Sequence, residues 1–203
     1  MARYTGPKTK VSRRLGVLLG GSPRAFENKT YPPGMHGPKG SRRKLSDYAT
    51  AMAEKKKLRF QYGVLERQFQ RYFETAARQR GVTGLLLLQL LETRLDNIVY
   101  RMGFAKTRQG ARQLVSHGHV CLNGRKTDIS SANLKVGDTV TIKEKQESRR
   151  LVQRGLEQTQ IVEPPAWLAV DKEALVGKVM SIPTREEINP IVNEQLVVEL
   201  YSR

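Results

Sequence analysis

Two arginine-bearing stripes lie close together near the middle of the 203-residue sequence, and their residue types suit one kind of chemistry. The first is Arg94, Asn97 and Arg101; the second is Arg108, Arg112 and Ser116, with Lys106, Thr107 and Gln113 beside it. A guanidinium is planar, stays charged at any physiological pH and donates in a fork that matches two phosphate oxygens. Guanidiniums at fixed spacing therefore suit phosphates at fixed spacing, as along a nucleic-acid backbone. The competing reading is an ordinary solvated helix face. His117 and His119 follow at once and, lacking ligand companions, suit hydrogen bonding or phosphate contact better than metal binding.

A catalytic constellation is harder to assemble. The sequence holds no GxxxxGK phosphate loop, no GxSxG and no His-rich metal motif. Asp96 and Asp128 are the carboxylates that an RNA-modifying enzyme would have to use, but Asp96 reads as a helix charge among arginines. Cys121 is the single cysteine, so neither an intramolecular disulfide nor a multi-cysteine zinc site can form. His36, His117 and His119 are too scattered to close a site, and no metal and no cofactor are expected.

Helices must carry the two stripes. Leu95, Ile98, Val99 and Met102 recur at helical spacing, with Gly103 as the stop. Thr107 stands where it can cap a second helix that turns Ala111, Leu114 and Val115 inward and ends before Gly118. Beyond it, residues 119–122 read as a strand, Asn123 and Gly124 as a hairpin turn, and residues 139–143 as an alternating strand preceded by a turn at Gly137 and Asp138. Residues 93–156 thus form one module, two short helices packed on a small antiparallel sheet.

The whole chain carries 36 Lys and Arg against 19 Asp and Glu, a net charge of +17 that points to a polyanionic partner. A membrane is the other polyanion, but no apolar run nears the roughly twenty residues needed for a crossing, and no lipidation motif is present. The N-terminus lacks the apolar segment of a signal peptide, so a cytosolic location is expected. Charge is uneven. Residues 1–44 hold eleven Lys or Arg and a single acid, Glu27, which predicts a basic arm that stays extended until an anionic surface fixes it. Ser46 and Asp47 open a helix that runs to Gly63, with Lys55, Lys56 and Arg59 among its charges and Tyr62 beside its end as a candidate for base stacking. A second helix over 65–80 places Leu65, Phe69, Tyr72, Phe73 and Ala76 inward and Arg67, Arg71 and Arg78 outward. From Glu157 onward eight acids face four bases, so this end either points away from nucleic acid or returns to neutralise the basic helices. The fold class is α+β, with an arm over 1–44, a helical domain over 45–92, the module over 93–156 and an acidic segment over 157–203.

The run RLDNIVYRMGFAKTRQGARQLVSHGHVCLNG closely resembles the RNA-binding module named after the fourth protein of the small ribosomal subunit. That module also occurs in some pseudouridine synthases and tyrosyl-tRNA synthetases. The flanks ARYTGPKTKVSRRLG and YPPGMHGPKGSRRKLSDYA, then PPAWL and VVELYSR, resemble the bacterial and organellar ribosomal proteins of that fourth type. The likeness is weakest over 20–29 and 147–163. It implies an architectural protein of the cytoplasmic small subunit that clamps a helical junction of 16S-type rRNA early in assembly. It further implies the fifth and third small-subunit proteins as neighbours, the mRNA entry path close by, and a C-terminal segment, 157–203, that packs on the helical domain and completes it. Carried over position by position, the RNA surface comprises Arg3, Lys8, Arg13, Arg14, Lys44, Lys55, Lys56, Arg59, Tyr62, Arg67 and Arg71 in the first part of the chain. In the module it comprises Arg94, Lys106, Thr107, Arg108, Arg112, Gln113, His117 and His119. Two other classes compete. An RNA-modifying enzyme would need a larger catalytic domain than the first 92 residues supply. A helix-turn-helix DNA regulator would need a dimerisation segment and a charge focused on one groove.

Overall fold

The computed structural model describes residues 3–39, 45–159 and 163–202. In chain order the helices are α1 (Lys8–Leu15), α2 (Pro23–Glu27), α3 (Asp47–Tyr62), α4 (Glu66–Arg78), α5 (Thr83–Glu92), α6 (Leu95–Arg101), α7 (Arg108–Ser116), α8 (Gln146–Gln158), α9 (Arg185–Ile188) and α10 (Glu194–Ser202). The strands are β1 (Val120–Leu122), β2 (Arg125–Lys126), β3 (Thr139–Ile142), β4 (Leu168–Asp171) and β5 (Val176–Val179). The chain is α+β and divides into two compact units, residues 1–85 with 190–203, and residues 86–189.

The first unit is helical. The Ser46 hydroxyl accepts from the Ala49 amide at 3.3 Å to start α3, and Gly63, at φ +64°, ends it. Leu58 and Tyr62 of α3 and Phe69 and Ala76 of α4 are buried, whereas Leu65, expected inward, is the exposed residue that precedes α4. Residues 196–202 alternate like a strand in sequence but form part of α10. Its Glu194, Val197 and Tyr201 fall at i, i+3 and i+7, one helical face, and Tyr201 stacks on Phe69 and Phe73 at centroid distances of 6.1 and 4.6 Å.

The arm is not the extended segment that its charge predicts. It forms α1 and α2, and α1 packs on α3. Gly16, at φ +70°, ends α1, and the fully buried Ser12 hydroxyl donates to the Gly20 carbonyl at 3.0 Å while accepting from the Leu19 amide at 3.2 Å. Arg13 donates through Nε to the Tyr31 carbonyl at 3.0 Å and lies over the Tyr31 ring. Tyr4 meets Phe60 of α3 edge-on at 5.0 Å. Charge alone does not decide its conformation, because the arm uses the surface of α3 and organises its own return around a buried serine.

Glu66 joins α3, α4 and α10. Its carboxylate accepts from Lys55 Nζ and Arg59 Nη1 at 2.7 Å each and from the Tyr201 hydroxyl at 3.0 Å. Burial raises the pKa of this carboxyl, but the hydrogen bonds from Lys55, Tyr201 and Arg59 outweigh it, and the group sits below its ordinary value of 4.5. A carboxyl depressed on folding adds stability that is complete above its unfolded pKa and lost as pH falls through the folded one. The urea midpoint of the wild-type protein should therefore fall more steeply below pH 4.5 than that of Glu66→Gln. Parallel profiles would contradict this assignment.

The second unit carries an antiparallel sheet in the order β2-β1-β3-β5-β4. Asn123 (φ +49°) and Gly124 (φ +77°) turn β1 into β2. Val120 pairs with Ile142, and Val140 with Gly177, where any side chain would run into Met102. Helices α6, α7 and α8 cover the core through Ile98, Val115 and Val152. Here the expected boundary is displaced. Residues 157–189 are expected with the helical domain, yet β4 and β5 extend this sheet, and Trp167, Leu168 and Val179 fill its core beside Val140. Unlike β1 and β3, which lie beside turn signals and close together in sequence, β5 pairs with a strand more than thirty residues earlier and β4 pairs in turn with β5, and nothing local in the sequence names that partner.

Candidate nucleic-acid interface

The module's helices begin where the sequence places them. Thr107 Oγ1 accepts from the Gly110 amide at 3.1 Å to open α7, and Gly103 (φ +81°) follows α6. The loop at 130–134 is tied to the start of α6 by Leu95 N–H to Ala132 O at 2.8 Å and Leu134 N–H to Thr93 O at 2.9 Å. That closure forces Arg94 and Asp96 into the interior.

Two buried acids then organise four arginines. Asp96 accepts from Arg94 Nε and Nη2 at 3.0 and 2.8 Å, and from Arg112 Nε and Nη2 at 2.9 and 2.6 Å. Glu92 accepts from Arg101 Nε and Nη2 at 3.0 and 2.7 Å and also from Asn97 Nδ2. Asn97 in turn accepts from Arg108 Nε at 2.8 Å, and Arg108 lies over the Tyr100 ring at 4.5 Å. Each guanidinium is thus fixed through Nε rather than swinging on a flexible stem, which lowers the entropy lost when an anion binds.

This geometry corrects several expectations. Arg94 is fully buried and is a structural ion-pair partner of Asp96, not a surface residue. Arg108 and Arg112 are half-buried and fold back on α6 rather than standing on an outer face. In the first unit Tyr62 is 3% exposed, a core residue with no free ring face for a base, and Lys55 is buried against Glu66. Arg13 and Arg59 are half-buried and already engaged, Arg13 by Tyr31 and Arg59 by Glu66. Lys44 lies outside the described residues. Exposed as expected are Arg3, Lys8, Arg14, Arg67 and Arg71 in the first unit and Lys106, Thr107, Gln113 and His117 in the second; Lys56 and His119 are half-buried.

His119 Nδ1 lies 2.9 Å from the Ser148 hydroxyl of α8. Burial, with His117 nearby, lowers the His119 pKa below its ordinary 6.5, so at neutral pH the ring is a hydrogen-bonding group and not a cation. Helix α8 is an element that the sequence expectations do not include. It buries Ser148 and Val152, four apart, and exposes Arg149, Arg150 and Arg154. Those arginines set around an inward valine were the available signal. Among the described residues, no group of three His, Cys, Asp or Glu could hold a metal ion, and no helix is long and apolar enough to cross a membrane.

Two family descriptions match the chain: "Ribosomal protein S4/S9 N-terminal domain" over residues 3–92 and "S4 domain" over residues 93–140. Small ribosomal subunit protein uS4 of Akkermansia muciniphila is 58% identical over 203 residues, covering all of both chains. The proteins of the same name from Opitutus terrae and Persephonella marina are 55% and 54% identical, again with full coverage of both chains.

Proposed function

The chain belongs to the family of small ribosomal subunit protein uS4, and from that premise we propose that its two units act as an rRNA clamp. The protein is a structural component of the small ribosomal subunit and binds rRNA. Its role is positional rather than catalytic. The full-length likeness to the uS4 proteins carries the reading, and the charge of +17, with exposed cations on both units, supports it.

The mechanism follows from electrostatics. Helices of a folded RNA repel one another through their phosphates, and cations held at fixed spacing remove that repulsion while releasing condensed counterions. Arg3, Lys8, Arg14, Arg67 and Arg71 on the first unit, and Lys106, Arg108, Arg112 and His117 on the second, are the proposed contacts. Thr107 and Gln113 add neutral hydrogen bonds beside them. A helical junction of 16S-type rRNA is the target that suits a two-unit clamp, and holding it early would nucleate assembly. In the cytoplasmic ribosome the fifth and third small-subunit proteins are the proposed protein neighbours, with mRNA near its entry path.

The protein should bind bare small-subunit rRNA with a log K that falls steeply with log salt, by about 0.7–0.9 unit per phosphate contact. Filter binding at several salt concentrations, with duplex DNA as competitor, measures it. Equal affinity for the duplex would overturn the RNA reading in favour of general polyanion binding.

A further inference from the structure

The second unit has a cleft of about 290 Å³ between α7 and α8, one wall of which, α8, lies beyond residue 140 and so outside the matched S4 domain. We propose that this cleft receives one unstacked base from a single-stranded segment of the rRNA, an inference that rests on the rRNA-binding reading. Three observations support a base as the occupant.

Phe104, Leu114 and Leu151 give the cleft apolar walls that suit the flat face of a ring once it leaves the stack. Amide groups lie at the sides, Gln113 from α7 and Gln158 from α8, each offering one acceptor and two donors to the edge of a base. Lys106 and Arg154, both exposed, also line the cleft, and none of the lining residues is acidic, so the charge complements the phosphates that flank an extruded nucleotide. His119 also lines the cleft, anchored to Ser148, and adds a neutral polar group. In a duplex every base is paired and stacked and no single ring is free to insert, so only an unpaired residue can use such a space.

Recognition splits into two parts that respond differently to salt. Contacts with the base displace no counterions, whereas contacts of Lys106 and Arg154 with phosphate do. Leu151→Asn removes an apolar wall without adding charge, at a side chain 44% exposed where the fold tolerates it. It should weaken binding to bare small-subunit rRNA roughly fivefold with the salt slope unchanged. Arg154→Gln should lower the slope by about 0.7–0.9 unit. Independently, ultraviolet cross-linking of the wild-type protein to unmodified rRNA, followed by peptide mapping, should join a base to the segments carrying His117 and His119 or Leu151. Wild-type protein that fails to bind rRNA would refute the functional reading itself. Wild-type protein that binds, with Leu151→Asn equally tight or all cross-links outside the cleft, would refute the base site alone.

Discussion

Asp96→Ala is expected to destabilise the second unit by about 3–5 kcal/mol, because it strips the counter-charge from a guanidinium that water cannot reach. Arg94 is fully buried, and Asp96 is the carboxylate it pairs with at 2.8 Å; Arg112, its side chain 15% exposed, shares the same oxygen at 2.6 Å. Removing one partner of a buried pair costs more than the pair itself contributes, since the remaining charge keeps its desolvation penalty. Denaturant titration of the whole protein would measure the loss, with tryptophan fluorescence reporting on Trp167 in the core of that unit. A loss of under about 1 kcal/mol would mean that water reaches the triad. The same geometry changes what charge reversal at Arg112 does. Glutamate there faces Asp96, so the variant loses structure before it loses any RNA contact.

Replacing Arg14, Arg67, Arg71 and Lys106 together with glutamine should weaken rRNA binding by roughly a thousandfold at about 0.1 M salt and flatten the salt dependence by about three units. All four side chains are exposed, and among the described residues none forms an ion pair, so their removal should leave the fold within about 0.5 kcal/mol per site. Arginines such as Arg59, whose Nη1 is held by Glu66, make poor probes because losing them disturbs a packed network as well. Filter binding over a salt series, beside a melting curve, separates the two effects. An unchanged slope with an intact fold would place the RNA on other faces.

The elements that could be read from sequence were those with a local cause. The Ser46 and Thr107 caps, the stops at Gly63 and Gly103, and the Asn123–Gly124 turn depend on a few neighbouring residues, and each is found where its chemistry demands. Burial of charged residues could not be read this way. Arg94 sits on the polar side of a helical wheel, and only the backbone pairing of residues 93–96 with 130–134 turns it inward. Tyr62 stands beside a helix break in sequence and is nonetheless buried in the core. In the same way, β4 and β5 have no strong strand pattern of their own: β5 pairs with the open edge of β3, and β4 pairs in turn with β5. Exposed cations at helical spacing were the legible part of the candidate interface; the acids that hold the half-buried ones were not.

Both units are finished by late segments of the polypeptide, and this sets the timing of competence during synthesis. Helices α3 and α4 leave the tunnel long before α10 exists to cover Phe69 and Phe73, and β3 waits for β5 to pair with its edge. A nascent chain halted before residue 190 therefore carries nearly all its positive charge on an incomplete scaffold, while one carried past Tyr201 closes the first unit with its final helix. Fragments that stop short of α10 lack the ring that covers Phe69 and Phe73 and should be cleaved by proteases more readily than the full chain.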